Sequence, residues 1–290
     1  MSDSRWGSAK EGFFEGRDRL KLFYRRWDAS QPRAVCLLVH GLAEHSGRYS
    51  NLARHLTEKG FSVWIMDNRG HGRSEGHRGD CSSFQQLVDD LHLLKQQAAA
   101  ISPRLPFLIV GHSLGGLISL AYAADHPKEI RAVAVSSPAL KLAYETPAWK
   151  VALVTATAKV APLTPFQNGV NPANLCRDPQ VVEAYRKDPL IHSVLTARCA
   201  LALQDALRSS LELAGRLSIP CVIFQSGTDQ VCDPQTALEF ARRAVEKGAP
   251  LSLRRYDGMY HELFNEPEHG RVMEDLSDWL DSALRNGGSK

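Results

Sequence analysis

The sequence has no stretch long and apolar enough to cross a bilayer. Its clean apolar runs, such as 35–39 and 107–110, fall far short of the roughly 18 residues a spanning helix needs. The start carries Asp3, Arg5, Lys10, Glu11 and Glu15 and no apolar h-region, so no secretory leader is expected and the chain is placed in the cytoplasm. Basic blocks are also missing. Lys and Arg number 35 against 32 Asp and Glu, and a net charge of +3 spread along the chain points to no nucleic-acid partner. The cysteines Cys36, Cys81, Cys176, Cys199, Cys221 and Cys232 show no C-x-x-C spacing, which argues against a zinc ribbon or a redox pair and for packed, reduced thiols. There is no H-E-x-x-H, and the spacing of His71 and His77 matches no zinc signature. The run Gly70-His71-Gly72 lacks the third glycine of a dinucleotide-binding turn. Neither a metal nor a cofactor is therefore expected. Repeats and low-complexity tracts are absent too, and only 286–290 reads as a disordered end.

What is present is a regular alternation. Apolar runs rich in β-branched and aromatic residues at 34–39, 61–66, 107–110, 132–135, 220–224 and 251–256 read as buried strands. Helical patterns at 49–58, 84–100, 114–125, 234–247 and 272–284 follow most of them. Strand and helix in turn predict an α/β fold with a mostly parallel central sheet flanked by helices. Ahead of it, 12–14 and 20–27 read as a hairpin that adds antiparallel strands at one edge. Between the fourth and fifth main strands the pattern breaks. Residues 141–210 offer no convincing strand, only helical segments at 148–159, 180–186 and 194–213 separated by Pro162, Pro165 and Pro172. This divides the chain into a core, 1–140 with 211–290, and a helical cap, 141–210. The first part of the cap, 144–170, carries only Glu145, Lys150 and Lys159, which fits a core-packing helix or, more sharply, a greasy flap over an apolar channel.

The pentapeptide Gly111-His112-Ser113-Leu114-Gly115 lies between a strand and a helix, the setting a G-x-S-x-G nucleophile elbow requires. A serine hydroxyl is a weak nucleophile until a base removes its proton, so it must project from a tight turn within reach of a histidine. The acid and base of such a site follow later strands in the order Ser, Asp, His. Asp229 follows 220–224 and His261 follows 251–256, 32 residues further on. His261 would take the Ser113 proton, and Asp229 would fix its tautomer and stabilise the imidazolium. Asp233 and Asp257 are rival acids, ranked lower because Asp229 sits at the strand exit while Asp233 precedes Pro234 as a helix cap. Two backbone N–H groups should receive the oxyanion, that of Leu114 at the helix start and that of Leu42 in the loop His40-Gly41-Leu42.

These residues resemble the α/β-hydrolase superfamily, and within it the monoacylglycerol lipase and lysophospholipase-like serine hydrolases, over almost the whole chain. His40-Gly41-Leu42-Ala43-Glu44-His45-Ser46-Gly47-Arg48-Tyr49 is similar to the H-G-x-x-E-H-S-G-R-Y stretch of monoacylglycerol lipases. Asp67 to Ser74 resembles the D-x-R-G-x-G-x-S segment of α/β-hydrolases, and Tyr185 to Leu190 the Y-x-x-D-P-L segment of those lipases. The resemblance implies a polar pocket of Glu44, Arg48, His112 and Tyr185 that holds glycerol hydroxyls while the acyl chain runs under the cap. A structural ion pair between Glu44 and Arg48 is the alternative for those two. Cys232, three residues after Asp229, also matches a cysteine near the family's site, and closeness to His261 would make it a point of partial inactivation by a bulky thiol reagent.

The implied activity is hydrolysis of monoacylglycerols, a small amphiphilic lipid ester as substrate, through an acyl-enzyme on Ser113. A lysophospholipase or a broad carboxylesterase with the same triad is the nearest alternative. A proline iminopeptidase-like peptidase and a non-catalytic binding protein stand behind them. A hydrophobic cap tip would give the chain peripheral contact with membranes; the sequence does not speak to the oligomeric state.

Overall fold

The computed structural model describes residues 9–286, so most of the tail expected at 286–290 and the first eight residues lie outside the described part. The chain enters through a hairpin, β1 (Lys10–Glu15) and β2 (Lys21–Trp27), paired antiparallel. It then builds β3 (Ala34–Val39), β4 (Phe61–Met66), β5 (Phe107–His112) and β6 (Ala132–Ser136), every residue of which is buried. Helices α1 (Ser50–Glu58), α2 (Phe84–Ile101) and α3 (Leu114–Asp125) connect them. The continuous apolar runs are explained by cover on both faces. Val35, Leu37 and Val39 pack with α2 and α3 on one side, and Ala34, Cys36 and Leu38 pack with α1 on the other.

Between β6 and the next core strand comes the cap. It contains α4 (Ala148–Val160), β7 (Pro165–Gln167), α5 (Pro179–Lys187), β8 (Val194–Thr196) and α6 (Ala197–Ser209). The expectation of a strand-free insertion fails here, because β7 and β8 pair antiparallel, Phe166 opposite Leu195. Three-residue strands leave no periodicity to read. Residues 194–196 also looked like the start of the following helix, whereas Thr196 ends the strand and caps α6 by accepting the Cys199 N–H at 3.3 Å. The core-packing reading of α4 fails as well. Only Val154 of that helix is buried, while Trp149 is 69% exposed, Leu153 49% and Val160 84%. No helix among the described residues is long and apolar enough to cross a membrane.

The core resumes with β9 (Cys221–Ser226), α7 (Pro234–Glu246), β10 (Leu251–Tyr256) and α8 (His269–Asn286). The eight core strands run in the order β1-β2-β4-β3-β5-β6-β9-β10, parallel from β4 to β10. At the edge, β10 is only half covered, and only Tyr256 of its residues is buried, in contrast to the fully buried strand read from its sequence. The loops after β3, β5, β9 and β10 leave the carboxyl ends of parallel strands on one rim, the place where ligands bind in sheets of this kind.

Candidate active site

Ser113 stands between β5 and α3 with φ 53° and ψ −118°, a conformation most residues with a side chain avoid. The surrounding backbone forces it. Its N–H donates to Ser136 O at 3.0 Å, and its carbonyl accepts from Gly116 N at 2.9 Å and Ala139 N at 2.9 Å. The two motif glycines are required by space. A Cβ on Gly115 would lie 2.1 Å from Val39 O, and one on Gly111 would lie 2.3 Å from both Gly115 O and Ser119 Oγ. Strand and helix thus approach too closely for any side chain at either position, and Ser113 is pushed onto the rim.

His261 Nδ1 lies 2.7 Å from Asp229 Oδ2, both side chains buried. The other carboxylate oxygen, Oδ1, accepts the N–H groups of Val231 at 2.8 Å and Cys232 at 3.0 Å. Burial works against the Asp229 carboxylate, but His261 and these donors outweigh it and hold its pKa below the ordinary value. Burial likewise opposes the His261 imidazolium, and the Asp229 carboxylate more than offsets it, so its pKa is raised above 6.5. A carboxylate on Nδ1 fixes the proton there and leaves Nε2 as the basic nitrogen. The rivals have other duties. Asp233 caps α7 through Gln235 N at 3.0 Å, and Asp257 is 77% exposed and bonded to Arg255 at 2.6 Å.

Ser113, Leu42 and Leu114 line one cavity of about 860 Å3 between core and cap, walled by Leu117, Val154, Leu203 and Leu207 among others. Among the described residues, neither the Leu42 nor the Leu114 amide is bonded to a protein acceptor. Gly41 is packed against the nucleophile, since a Cβ there would meet Ser113 Cβ at 3.2 Å. Cys232 lines the same cavity beside Ser113. Burial and Asp229 push its thiol pKa well up, so it is held in the protonated form.

Glu44 and Arg48 form an ion pair at 2.7 Å, and both nitrogens of the same guanidinium bind Glu262, at 2.6 and 2.7 Å. Glu44 also accepts Tyr49 OH and Gly41 N, each at 2.7 Å, so its carboxylate is fully engaged. Burial opposes the Glu44 charge, but Arg48 and the histidines nearby hold its pKa well below the ordinary value. The Arg48 guanidinium lies 4.9 Å above the Tyr185 ring. Next to Ser113, His112 packs 4.7 Å from the His261 ring, and its Nδ1 is buried without a partner among the described residues. Burial and the neighbouring His261 lower its pKa to about 4, so it is neutral at ordinary pH. Sequence reading missed Glu262. Its only signal was an acid directly following the candidate base, since its partner Arg48 is 214 residues away.

His71, read as carrying no metal, packs its ring 4.7 Å from that of His192. Among the described residues one group, His92, His126 and Glu129, brings metal-type atoms within 4.8 Å of one another. There the Lys95 ammonium lies 2.9 Å from Glu129 Oε2 and neutralises it, and the group sits at the far end of α3, about 18 Å of helix from Ser113.

Residues 30–268 match the family described as serine aminopeptidase, S33. The chain is 35% identical over 276 residues to a monoacylglycerol lipase of Mycolicibacterium smegmatis, covering 94% of this chain and 98% of the relative. It is 27% identical over 260 residues to phospholipase YtpA of Bacillus subtilis, covering 89% and 99%. Its fold superposes on the crystal structure of Paleococcus ferrophilus monoacylglycerol lipase with a TM-score of 0.81 at 31% identity, over 90% of this chain and 99% of that one.

Proposed function

The chain belongs to the serine aminopeptidase S33 family and is a serine hydrolase of α/β-hydrolase fold, and from that premise we propose that it cleaves monoacylglycerols to a free fatty acid and glycerol. The observation that carries this reading is the strained Ser113 opening on a large, mainly apolar cavity, with the His261–Asp229 pair and a buried ionic cluster beside it. His261 Nε2 takes the Ser113 proton as Oγ attacks the ester carbonyl. The Leu42 and Leu114 N–H groups receive the oxyanion, a contact worth about 2.7–4 kcal/mol per donor. His261 then protonates the leaving glycerol oxygen. A water activated by the same imidazole hydrolyses the acyl-enzyme and releases the fatty acid.

In this reading the acyl chain occupies the cavity under the cap. His112, neutral and with an unpartnered ring nitrogen, meets a glycerol hydroxyl together with Tyr185, while Glu44 and Arg48, already paired with each other, and Arg48 with Glu262 as well, hold that wall rigid. The exposed apolar side chains of α4 bring the cap to lipid surfaces where the substrate resides. Sedimentation with liposomes measures this, and no binding at any salt would remove the membrane contact.

One observation favours a second reading. Lys141, Lys150 and Arg208 line the cavity against the single acid Glu145, which would suit the phosphate of a lysophospholipid. The same shortage of free acids weighs against an aminopeptidase, which must grip a substrate α-amine, because Glu44 and Glu262 are consumed by Arg48. A non-catalytic binding protein is opposed by an intact Ser113, His261 and Asp229. Initial rates on a monoacylglycerol, a lysophosphatidylcholine and a p-nitrophenyl ester series, with Ser113→Ala as control, separate these readings. Preference for the monoacylglycerol is expected, and clear preference for the lysophospholipid would replace the first reading by the second.

A further inference from the structure

One stretch of the seam between cap and core lies where the loop before α2 meets the start of α6. Thr196 N donates to Gly79 O at 3.0 Å, Thr196 Oγ1 to Asp80 at 2.6 Å and Arg198 Nε to Asp80 at 2.9 Å. Gly79, at φ 67°, is pressed so closely on the cap that a Cβ would stand 2.1 Å from Val194 O. Within this seam two cysteines 118 residues apart meet, Cys81 from the core loop and Cys199 from the first turn of α6, with their sulfurs 3.0 Å apart. Both are free thiols, buried among apolar side chains. Both stand as packed thiols, as expected, but no spacing rule could have brought the two together.

A second observation concerns access. An open cavity of about 340 Å3, separate from the one at Ser113, is lined by Asp80 and Ser82 on either side of Cys81 and by Arg198 next to Cys199. Neither cysteine lines it, but it brings a small oxidant to the residues flanking both of them without passing through the substrate cavity.

We propose that Cys81 and Cys199 are a modification site, at which a peroxide converts the two thiols into a disulfide that staples the cap to the core. The Cys81 sulfur takes one oxygen of hydrogen peroxide to give a sulfenic acid, and the other oxygen leaves as water. The Cys199 sulfur then attacks the sulfenic sulfur, the S–S bond forms, and the sulfenic oxygen departs as a second water carrying the remaining thiol proton. Two thiols and one hydrogen peroxide thus give one disulfide and two waters. Closing the bond needs the sulfurs to approach by about 1 Å, to the usual 2.03–2.05 Å. The seam is already held by the Asp80 contacts, so little else has to move. Because Leu201, Leu203 and Leu207 of α6 line the 860 Å3 cavity, the staple fixes one wall of the site that chooses the substrate.

The test uses the full chain, reduced with dithiothreitol or treated with hydrogen peroxide, and reads peptide linkage and thermal unfolding rather than activity, since Cys232 adjoins Ser113. The expected result is a loss of 2 Da, a linked peptide pair containing Cys81 and Cys199, and a Tm higher by roughly 5 °C or more that dithiothreitol reverses. Cys81→Ser and Cys199→Ser, made separately so that one failing to fold leaves the other, should show neither linkage nor shift. Oxidation to sulfinic acids without the linked pair, or a linked pair with unchanged or lowered Tm, would overturn the proposal.

Discussion

The elbow of the core and helix α4 of the cap carry the same kind of residue to opposite ends. At the elbow, glycines and buried apolar residues are packed so closely that Ser113 is held in a backbone conformation it would not adopt alone. On α4, a run just as poor in charge is left facing outward. Chemistry needs atoms fixed to a fraction of an ångström, so it sits where neighbours over-determine the backbone. Under the proposed function, selection of a lipid needs only an adaptable apolar surface, which fits α4, where few contacts pin the chain. Substitutions in the two regions should therefore fail differently, the first in rate on every ester, the second only on substrates held in lipid.

The largest effect belongs to the elbow. Ser113→Ala should reduce kcat roughly a hundred-thousand- to a million-fold on all esters with an unchanged melting curve, and His261→Ala should reduce kcat as much, because triad members act as a unit. Residual turnover near the original rate would move the nucleophile elsewhere. Asp229→Asn should cost roughly ten-thousand-fold in kcat. It also carries a pH signature. His261 must be neutral to act, and its pKa is raised above 6.5, so activity falls as pH drops through that raised value. Removing the Asp229 carboxylate leaves burial opposed only by the weaker pull of Glu262 and Glu44, and the acid limb of the residual activity should move to lower pH. An unmoved limb would assign it to another group.

Arg48→Met tests the framework rather than the chemistry. It strands Glu44 and Glu262 as buried charges without their partner, and chemical unfolding should show a loss of about 3–5 kcal/mol. A loss below 1 kcal/mol would mean that the cluster is not structural. Trp149→Ser with Leu153→Ser on α4 should leave a soluble short-chain ester unaffected and slow hydrolysis of vesicle-borne monoacylglycerol several-fold. Equal slowing on both substrates would erase the contrast between core and cap. The smallest effect is expected at Cys232, whose buried, protonated thiol should react slowly with a bulky thiol reagent, and only confirmed modification should lower activity.

The core was legible because strands covered on both faces must be apolar throughout, and β3, β4 and β5 begin where their runs begin. Ser113 and Asp229 stand just past such strands, and His261 just past the half-covered edge strand β10, whose run still reads as a strand. The exposure of α4 was not legible, since low charge marks a core helix and an outward-facing apolar helix alike. The short strands β7 and β8 lack the length to show a period. Glu262 and the Cys81–Cys199 contact depend on partners 214 and 118 residues away, which local pattern does not encode.

The most direct test of Ser113 as the nucleophile of a lipid ester hydrolase is labelling with an alkyl fluorophosphonate, followed by peptide mass spectrometry and residual activity. One adduct per chain on Ser113, forming in step with loss of activity and slowed by 1-oleoylglycerol, is the expected result. Full labelling of Ser113 with monoacylglycerol hydrolysis intact, or inactivation by an adduct on a different residue, would contradict it.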